Sequence, residues 1–166
     1  MNKKISIILV ISILILVIAI LCIFKIISSN KNKNIDKDTI VNISLEELNK
    51  KIEESGEYDL SKMQNIDKDY AMSTFLIDES KIQDIIGKSP IINTKSSMYV
   101  VIKTDENNLQ EVKMSMESYA VEYENQWSTY LPDQYELVKN REIGIKGNYV
   151  YMIISEKPEE IVNMIK

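Results

Sequence analysis

Residues 98–104 read MYVVIKT, the most strand-like segment of the chain. β-Branched and aromatic side chains dominate it, and Lys103 is its only charged residue. That composition is typical of a β-strand. We therefore expect the best-defined strand of the chain here, with the rest of a sheet forming around it.

The segment after this strand predicts a long amphipathic helix over residues 106–130. Asp105 ends the strand and can cap the helix. Apolar side chains then recur at steps of three or four, which places them on one face: they are Leu109, Val112, Met116, Tyr119, Ala120, Tyr123 and Trp127. Pro132 ends the helix because it lacks an amide donor and disfavours helical geometry in the residue before it. It also suits the start of a second, short helix over 132–139.

Residues 141–155 predict a β-hairpin. Two apolar runs flank Lys146-Gly147-Asn148, and a tight turn needs the positive φ that Gly and Asn accept at low cost. Downstream, Pro158 and the two following glutamates suit the start of a last short helix, where acids lie near the positive end of the helix dipole.

The region before residue 98 also contains clear signals. Ser44 and Glu47 form a capping box for a helix that ends near Glu54, and Gly56 supplies a left-handed stop. We predict a second helical segment over 59–76, interrupted near 67–69. A strand near 82–86 and a turn at 87–90 (GKSP) follow.

Together these elements predict an α+β fold. A small antiparallel sheet is expected from strands near 82–86, 98–104, 141–146 and 149–155. The long helix packs across one face of this sheet, and shorter helices lie at either end.

Residues 5–24 form an apolar run with no charge, Pro or Gly. Twenty residues of helix span ~30 Å, the thickness of a bilayer's hydrocarbon core. We therefore predict a single transmembrane anchor over 5–27, a polar linker over 28–39 and an extracytoplasmic α+β domain over 40–166. Two alternatives stay open, a cleaved signal peptide and a lipoprotein modified at Cys22. The anchor is favoured because the run ends without a small-x-small cleavage site and Leu21 precedes Cys22.

The flanking lysines do not decide the orientation of this anchor, because they lie on both sides of the run. A short basic tail before a long apolar run is typical of a signal-anchor. We therefore expect a single-pass protein of the cell membrane with its C-terminal domain outside the cytoplasm.

Composition excludes several functions. Beyond residue 30 the chain carries 17 basic and 25 acidic residues, which disfavours nucleic acid as a partner. The chain has no His, and its one Cys lies in the apolar run, so the commonest general base, metal ligand and thiol nucleophile are missing from the domain. We predict no catalytic residues, no metal site and no cofactor.

An aromatic cluster around a proline is the most distinctive feature of the domain. Trp127, Tyr130, Pro132 and Tyr135 could line a groove for a glycan, a peptide or a partner helix. The alternative is that they form the end of the amphipathic stripe and pack on the sheet. We take them as interaction candidates.

Three segments resemble a known family. The strand MYVVIKT, the stretch WSTYLPDQYELV at 127–138 and the hairpin motif KGNYV at 146–150 are similar to domain of unknown function 4358, an uncharacterised family of mostly clostridial Firmicutes proteins. The resemblance covers roughly 45–155. It implies a shared fold and an exported or membrane-attached location, and it implies no activity.

These observations predict a non-enzymatic, membrane-anchored extracytoplasmic domain that binds a protein partner or a cell-envelope component. Two alternatives remain: a carboxylate-dependent cell-wall hydrolase and a structural subunit of a membrane complex.

Overall fold

The computed structural model of the chain describes residues 35–36 and 41–166. Within these ranges six strands form one sheet: β1 (Ile35–Asp36), β2 (Met63–Asn65), β3 (Asp84–Pro90), β4 (Met98–Lys103), β5 (Glu142–Lys146) and β6 (Tyr149–Ile154). Their order across the sheet is β1-β5-β6-β4-β3-β2. The five strands from β5 to β2 pair antiparallel, and only the two-residue β1 pairs parallel, with β5.

Among the described residues, five α-helices accompany the sheet: α1 (Leu45–Glu54), α2 (Lys68–Thr74), α3 (Leu109–Trp127), α4 (Pro132–Lys139) and α5 (Pro158–Val162). Local sequence explains the start and stop of α1. Ser44 Oγ accepts a hydrogen bond from the Glu47 amide at 3.2 Å, and Gly56 takes φ +79° after the helix. The predicted helices at 44–54 and 132–139 and the last short helix are confirmed.

Strand β4 lies between β3 and β6, and it is buried on both faces. Met98, Val100 and Ile102 contact one hydrophobic cluster, which α2, α3 and α4 cover. Tyr99 and Val101 contact a second cluster on the opposite face, which α1 and α5 cover. Successive side chains of a strand point to opposite faces, so one apolar run supplies both cores. The α+β class and the antiparallel sheet with a long helix on one face are confirmed, and helices also cover the other face.

The predicted helical segment 59–76 is wrong over its first half. A 3₁₀ turn at Leu60–Lys62 leads into β2, and α2 begins only after Asp67, whose carboxylate caps the Tyr70 amide. Strand β2 pairs with the end of β3, which satisfies backbone groups that a helix would have bonded internally. The pairing involves residues about 25 positions apart in the chain, so local periodicity does not reveal it.

The predicted turn at 87–90 is also wrong, because β3 continues to Pro90. Gly87 lies directly against the backbone of β4, where no side chain would fit. Pro90 occupies the last position of the strand, where a missing amide donor is tolerated. Gly87 therefore marks a close contact between strands, and Pro90 marks the end of a strand.

The long helix is shorter than predicted. A 3₁₀ turn occupies Glu106–Asn108, and α3 runs from Leu109 to Trp127. Asp105 does not cap it with its side chain. Its carboxylate accepts a hydrogen bond from Gln83 Nε2 at 2.5 Å instead.

The hairpin is confirmed, with β5 and β6 joined through Gly147 at φ +54°. The predicted anchor at 5–27 lies outside the described residues, as does most of the predicted linker, of which Ile35 and Asp36 form β1. Within the described residues no helix has the length and apolar character needed to cross a bilayer.

Candidate functional site

The interaction candidates lie at the corner where α3 ends and α4 begins. Trp127 is buried, and the centroid of its ring lies 5.7 Å from that of Tyr130. Tyr130 itself is 53% exposed, in the short connection between the helices. The structure therefore brings these two side chains together, one as a buried support and the other as a surface group.

Pro132 and Tyr135 lie on α4 and differ in exposure. Pro132 is the exposed first residue of the helix, whereas Tyr135 is half-buried against the hydrophobic cluster beneath α3. Lys139 Nζ lies 5.9 Å from the centroid of the Tyr135 ring, a cation–π distance. The surface part of the motif thus consists of Tyr130, Pro132 and the outer edge of Tyr135.

Trp127 belongs to a row of six aromatic rings along the inner side of α3. Neighbouring ring centroids lie between 4.9 and 6.0 Å apart. The six residues are Tyr70, Phe75, Tyr119, Tyr123, Trp127 and Tyr130. Burial raises the pKa of Tyr119, and it raises the pKa of Tyr123 to about 12, so these phenols keep their protons to higher pH than an exposed tyrosine does. Of the motif's aromatic residues, Trp127 is therefore part of the core, whereas Tyr130 ends the row at the surface.

A buried polar link, which the sequence did not reveal, joins α4 to the loop before β4. Gln134 Oε1 accepts a hydrogen bond from the Ser96 amide at 2.9 Å, and Ser96 Oγ donates to the Gln134 carbonyl at 3.0 Å. Tyr123 OH donates to the Ser96 carbonyl at 3.3 Å. A glutamine in a short amphipathic helix is a weak signal by itself, because its buried partner lies 38 residues away in the chain.

Gln134 also lines a small polar cleft with a volume of about 170 Å³. Its charged lining residues lie in three loops and in the 3₁₀ turn before β2: they are Glu57, Asp59, Lys62, Lys95 and Glu156. Hydrogen bonds from the Lys62 and Ser61 side chains lower the pKa of Asp59. The cleft can therefore offer both acidic and basic side chains to a polar ligand.

Three carboxyl groups of the described residues have pKa values shifted away from the range that general-acid chemistry needs. Asp59, Asp78 and Asp133 each have a pKa below the usual range, caused first by a side-chain hydrogen bond from a neighbouring residue. A catalytic carboxylic acid instead needs its pKa raised towards neutrality. Within the part of the chain that the structure describes, no three Asp, Glu or Cys side chains are grouped to hold a metal ion.

The fold defines an α+β domain whose mixed sheet is covered by helices on both faces. Residues 56–155 match the family model described as Domain of unknown function (DUF4358), and the chain belongs to this family. The match covers β2 to β6 together with α2, α3 and α4. No curated protein and no solved structure matches the chain.

Proposed function

We propose that this protein is a non-enzymatic binding module, anchored in the cell membrane by residues 5–27 with its folded domain outside the cytoplasm. The module binds a protein partner or a cell-envelope component. The apolar run supports the anchor, since its length suits a bilayer. The acidic balance of the rest of the chain supports a partner other than nucleic acid or anionic lipid.

The exposed aromatic corner is the observation that carries this proposal. Tyr130 leaves half of its surface in water while Trp127 fixes its position from below. A rigid aromatic group with a free hydroxyl loses little conformational entropy on binding, and such groups are enriched at interfaces. Pro132 stiffens the backbone beside it.

Photocrosslinking in native membranes tests the binding. The full chain carries p-benzoylphenylalanine at position 130, and the matched control carries it at position 148, an exposed residue at the tip of the β5–β6 hairpin. We expect a discrete crosslinked product from position 130 and none from position 148. Equal, stoichiometric products from both positions would instead favour a structural subunit surrounded by its complex. No product from position 130 would contradict binding at this corner.

The alternative hypothesis, a carboxylate-dependent cell-wall hydrolase, has its own test. Purified cell-wall material is incubated with the full chain and with a variant that carries Glu57→Gln, Asp59→Asn and Glu156→Gln in the polar cleft. We expect neither protein to release soluble fragments. Release by the natural chain that the triple variant loses would overturn the non-enzymatic proposal.

Location is tested separately, by cysteine labelling of intact cells. In a Cys22→Ser background, Asn148→Cys should react with a membrane-impermeant maleimide before lysis. Intact mass of the membrane-extracted chain should show that residues 1–21 are retained and that no acyl mass is added. Labelling only after lysis would contradict the outside location, and loss of the first 21 residues with added acyl mass would establish a lipoprotein.

A further inference from the structure

Leu76 combines an unfavourable backbone conformation with an exposed apolar side chain. It follows α2 with φ +56°, and it is 81% exposed. Both of its neighbours, Phe75 and Ile77, are buried. The left-handed backbone conformation of Leu76 turns the chain so that both neighbours enter the core. Gly or Asn would adopt this conformation more easily than Leu does. Packing therefore explains the conformation, and it does not explain why a leucine occupies the position.

Hollows lie on both sides of Leu76. One, of about 310 Å³, separates it from α3, where Met114, Ser118 and Tyr119 line the groove. The other, a shallow hollow of about 620 Å³, lies towards Met72 and Ile77. Leu76 therefore stands as an apolar ridge between two depressions.

The outer face of α3 extends this apolar surface. Met114 is 64% exposed, and Val121 is 53% exposed. They lie seven residues apart, so they share a helix face ~10 Å apart along the axis, with the small Ser118 between them. Large side chains on either side of a small one form a groove that accepts a helix.

Every charged residue that lines the two hollows is acidic. Glu111 and Glu122 border the first hollow, and Asp78 and Glu79 border the second. Lys81 binds Glu111, whereas Glu79 and Glu122 form no ion pair with the described residues. The rim therefore keeps negative charge beside the exposed leucine and methionine.

We propose that this surface, Leu76 with Met114, Val121 and their acidic rim, binds a basic amphipathic helix of a partner protein. The apolar face of that helix covers Leu76 and Met114, and its Lys or Arg side chains pair with Glu79 and Glu122. A second copy of this chain fits less well, because it would bring the same acidic rim and a domain of like net charge. The surface shares no residue with the Tyr130 corner: along α3, Met114 precedes Trp127 by about 20 Å and Val121 precedes it by about 9 Å.

Designed peptides test the chemistry of the partner. The full chain is held in zwitterionic lipid nanodiscs, with empty discs as the blank, and three 18-residue peptides are titrated. One has an amphipathic helix of Leu and Lys, one has Glu in place of Lys, and one has the Leu/Lys composition in scrambled order. We expect measurable binding of the ordered Leu/Lys peptide alone. Equal binding of the Glu or scrambled peptide would overturn the proposal.

Leu76→Gly is the decisive variant, because it removes the exposed side chain and suits the positive φ. We expect thermal stability at or above that of the natural chain and binding at least tenfold weaker. The matched control is Ile91→Ser, at an apolar residue that is 58% exposed elsewhere, and it should bind as the natural chain does. Glu79→Gln with Glu122→Gln should weaken binding roughly two- to fivefold and flatten its salt dependence. Unchanged binding by Leu76→Gly would overturn the site.

Crosslinking from position 114 distinguishes a partner protein from the other molecules that could cover this surface, a second copy of the chain or the chain's own N-terminal residues. With p-benzoylphenylalanine there, in native membranes, a product with a different polypeptide whose crosslinked segment is basic and amphipathic supports the proposal. A homodimeric product, or a link to the chain's own residues 1–34, would overturn it.

Discussion

Gly87 lies against the backbone of β4 with no room for a side chain. A Cβ at this position would lie 2.6 Å from the carbonyl oxygen of Tyr99 and 3.1 Å from the Cβ of Ile66. We therefore expect Gly87→Ala to lower the free energy of unfolding by about 1–3 kcal/mol, because backbone cannot move aside as a flexible side chain can. Urea denaturation measures it. Ser89→Ala, two residues along the same strand, should lose no more than about 1 kcal/mol; equal losses would contradict the contact.

Trp127 and Tyr130 are neighbours with different roles. Trp127→Leu removes a buried ring from the row along α3, so we expect a loss of about 1–3 kcal/mol of stability. Tyr130→Phe keeps the ring and removes an exposed hydroxyl, and we expect a change within about 0.5 kcal/mol. Thermal unfolding of the two variants measures both stability losses against the natural chain. Similar losses from both would show that Tyr130 is part of the core.

At the scale of elements, Gln134 holds α4 to the loop before β4. Gln134→Leu would leave the buried Ser96 amide without its acceptor, and we expect a loss of about 1–3 kcal/mol. Amide hydrogen exchange at Ser96 should accelerate with it. Gln110→Leu, at an exposed position of α3, is the matched control and should leave that exchange unchanged. Unchanged protection in Gln134→Leu would contradict this link.

The elements around β4 differ in whether the local sequence predicts their secondary structure. The stripe of α3 and the hairpin turn at Gly147 depend on local periodicity and on local backbone preference. Strand β2 depends instead on pairing with the edge of β3. Its local sequence pattern by itself predicts a helix, which does not form. The same distance effect hides the Ser96–Gln134 link.

At the scale of the whole molecule, buried tyrosines make the fold sensitive to high pH. Burial raises the pKa of Tyr123 and of Tyr151 to about 12, against ~10 for an unfolded tyrosine. Between these values the unfolded chain has released protons that the folded chain keeps, so stability falls as pH rises from 10 to 12. We expect Tyr151 alone to contribute a loss of about 2 kcal/mol by pH 12.

Tyr151→Phe is the variant that checks this pH dependence. Urea denaturation between pH 8 and pH 12 should show a shallower decline for the variant, with most of the difference appearing above pH 10. Lys146 acts in the opposite direction, because burial lowers its pKa and the folded chain loses that proton at lower pH than the unfolded chain does. Identical declines in the two proteins would mean that Tyr151 ionises as freely in the folded state as in the unfolded one.

Sequence alone determined the α+β class, the family resemblance, the strand at 98–104, the helix at 44–54 and the final hairpin, because each depends on neighbouring residues. The membrane anchor and the binding role stay predictions that rest on composition. Tertiary structure decided which motif aromatics are core and which are surface, and it replaced the predicted turn at 87–90 with a strand. It also placed Leu76 beside the outer face of α3. These features depend on contacts between segments far apart in the chain, which no local pattern encodes.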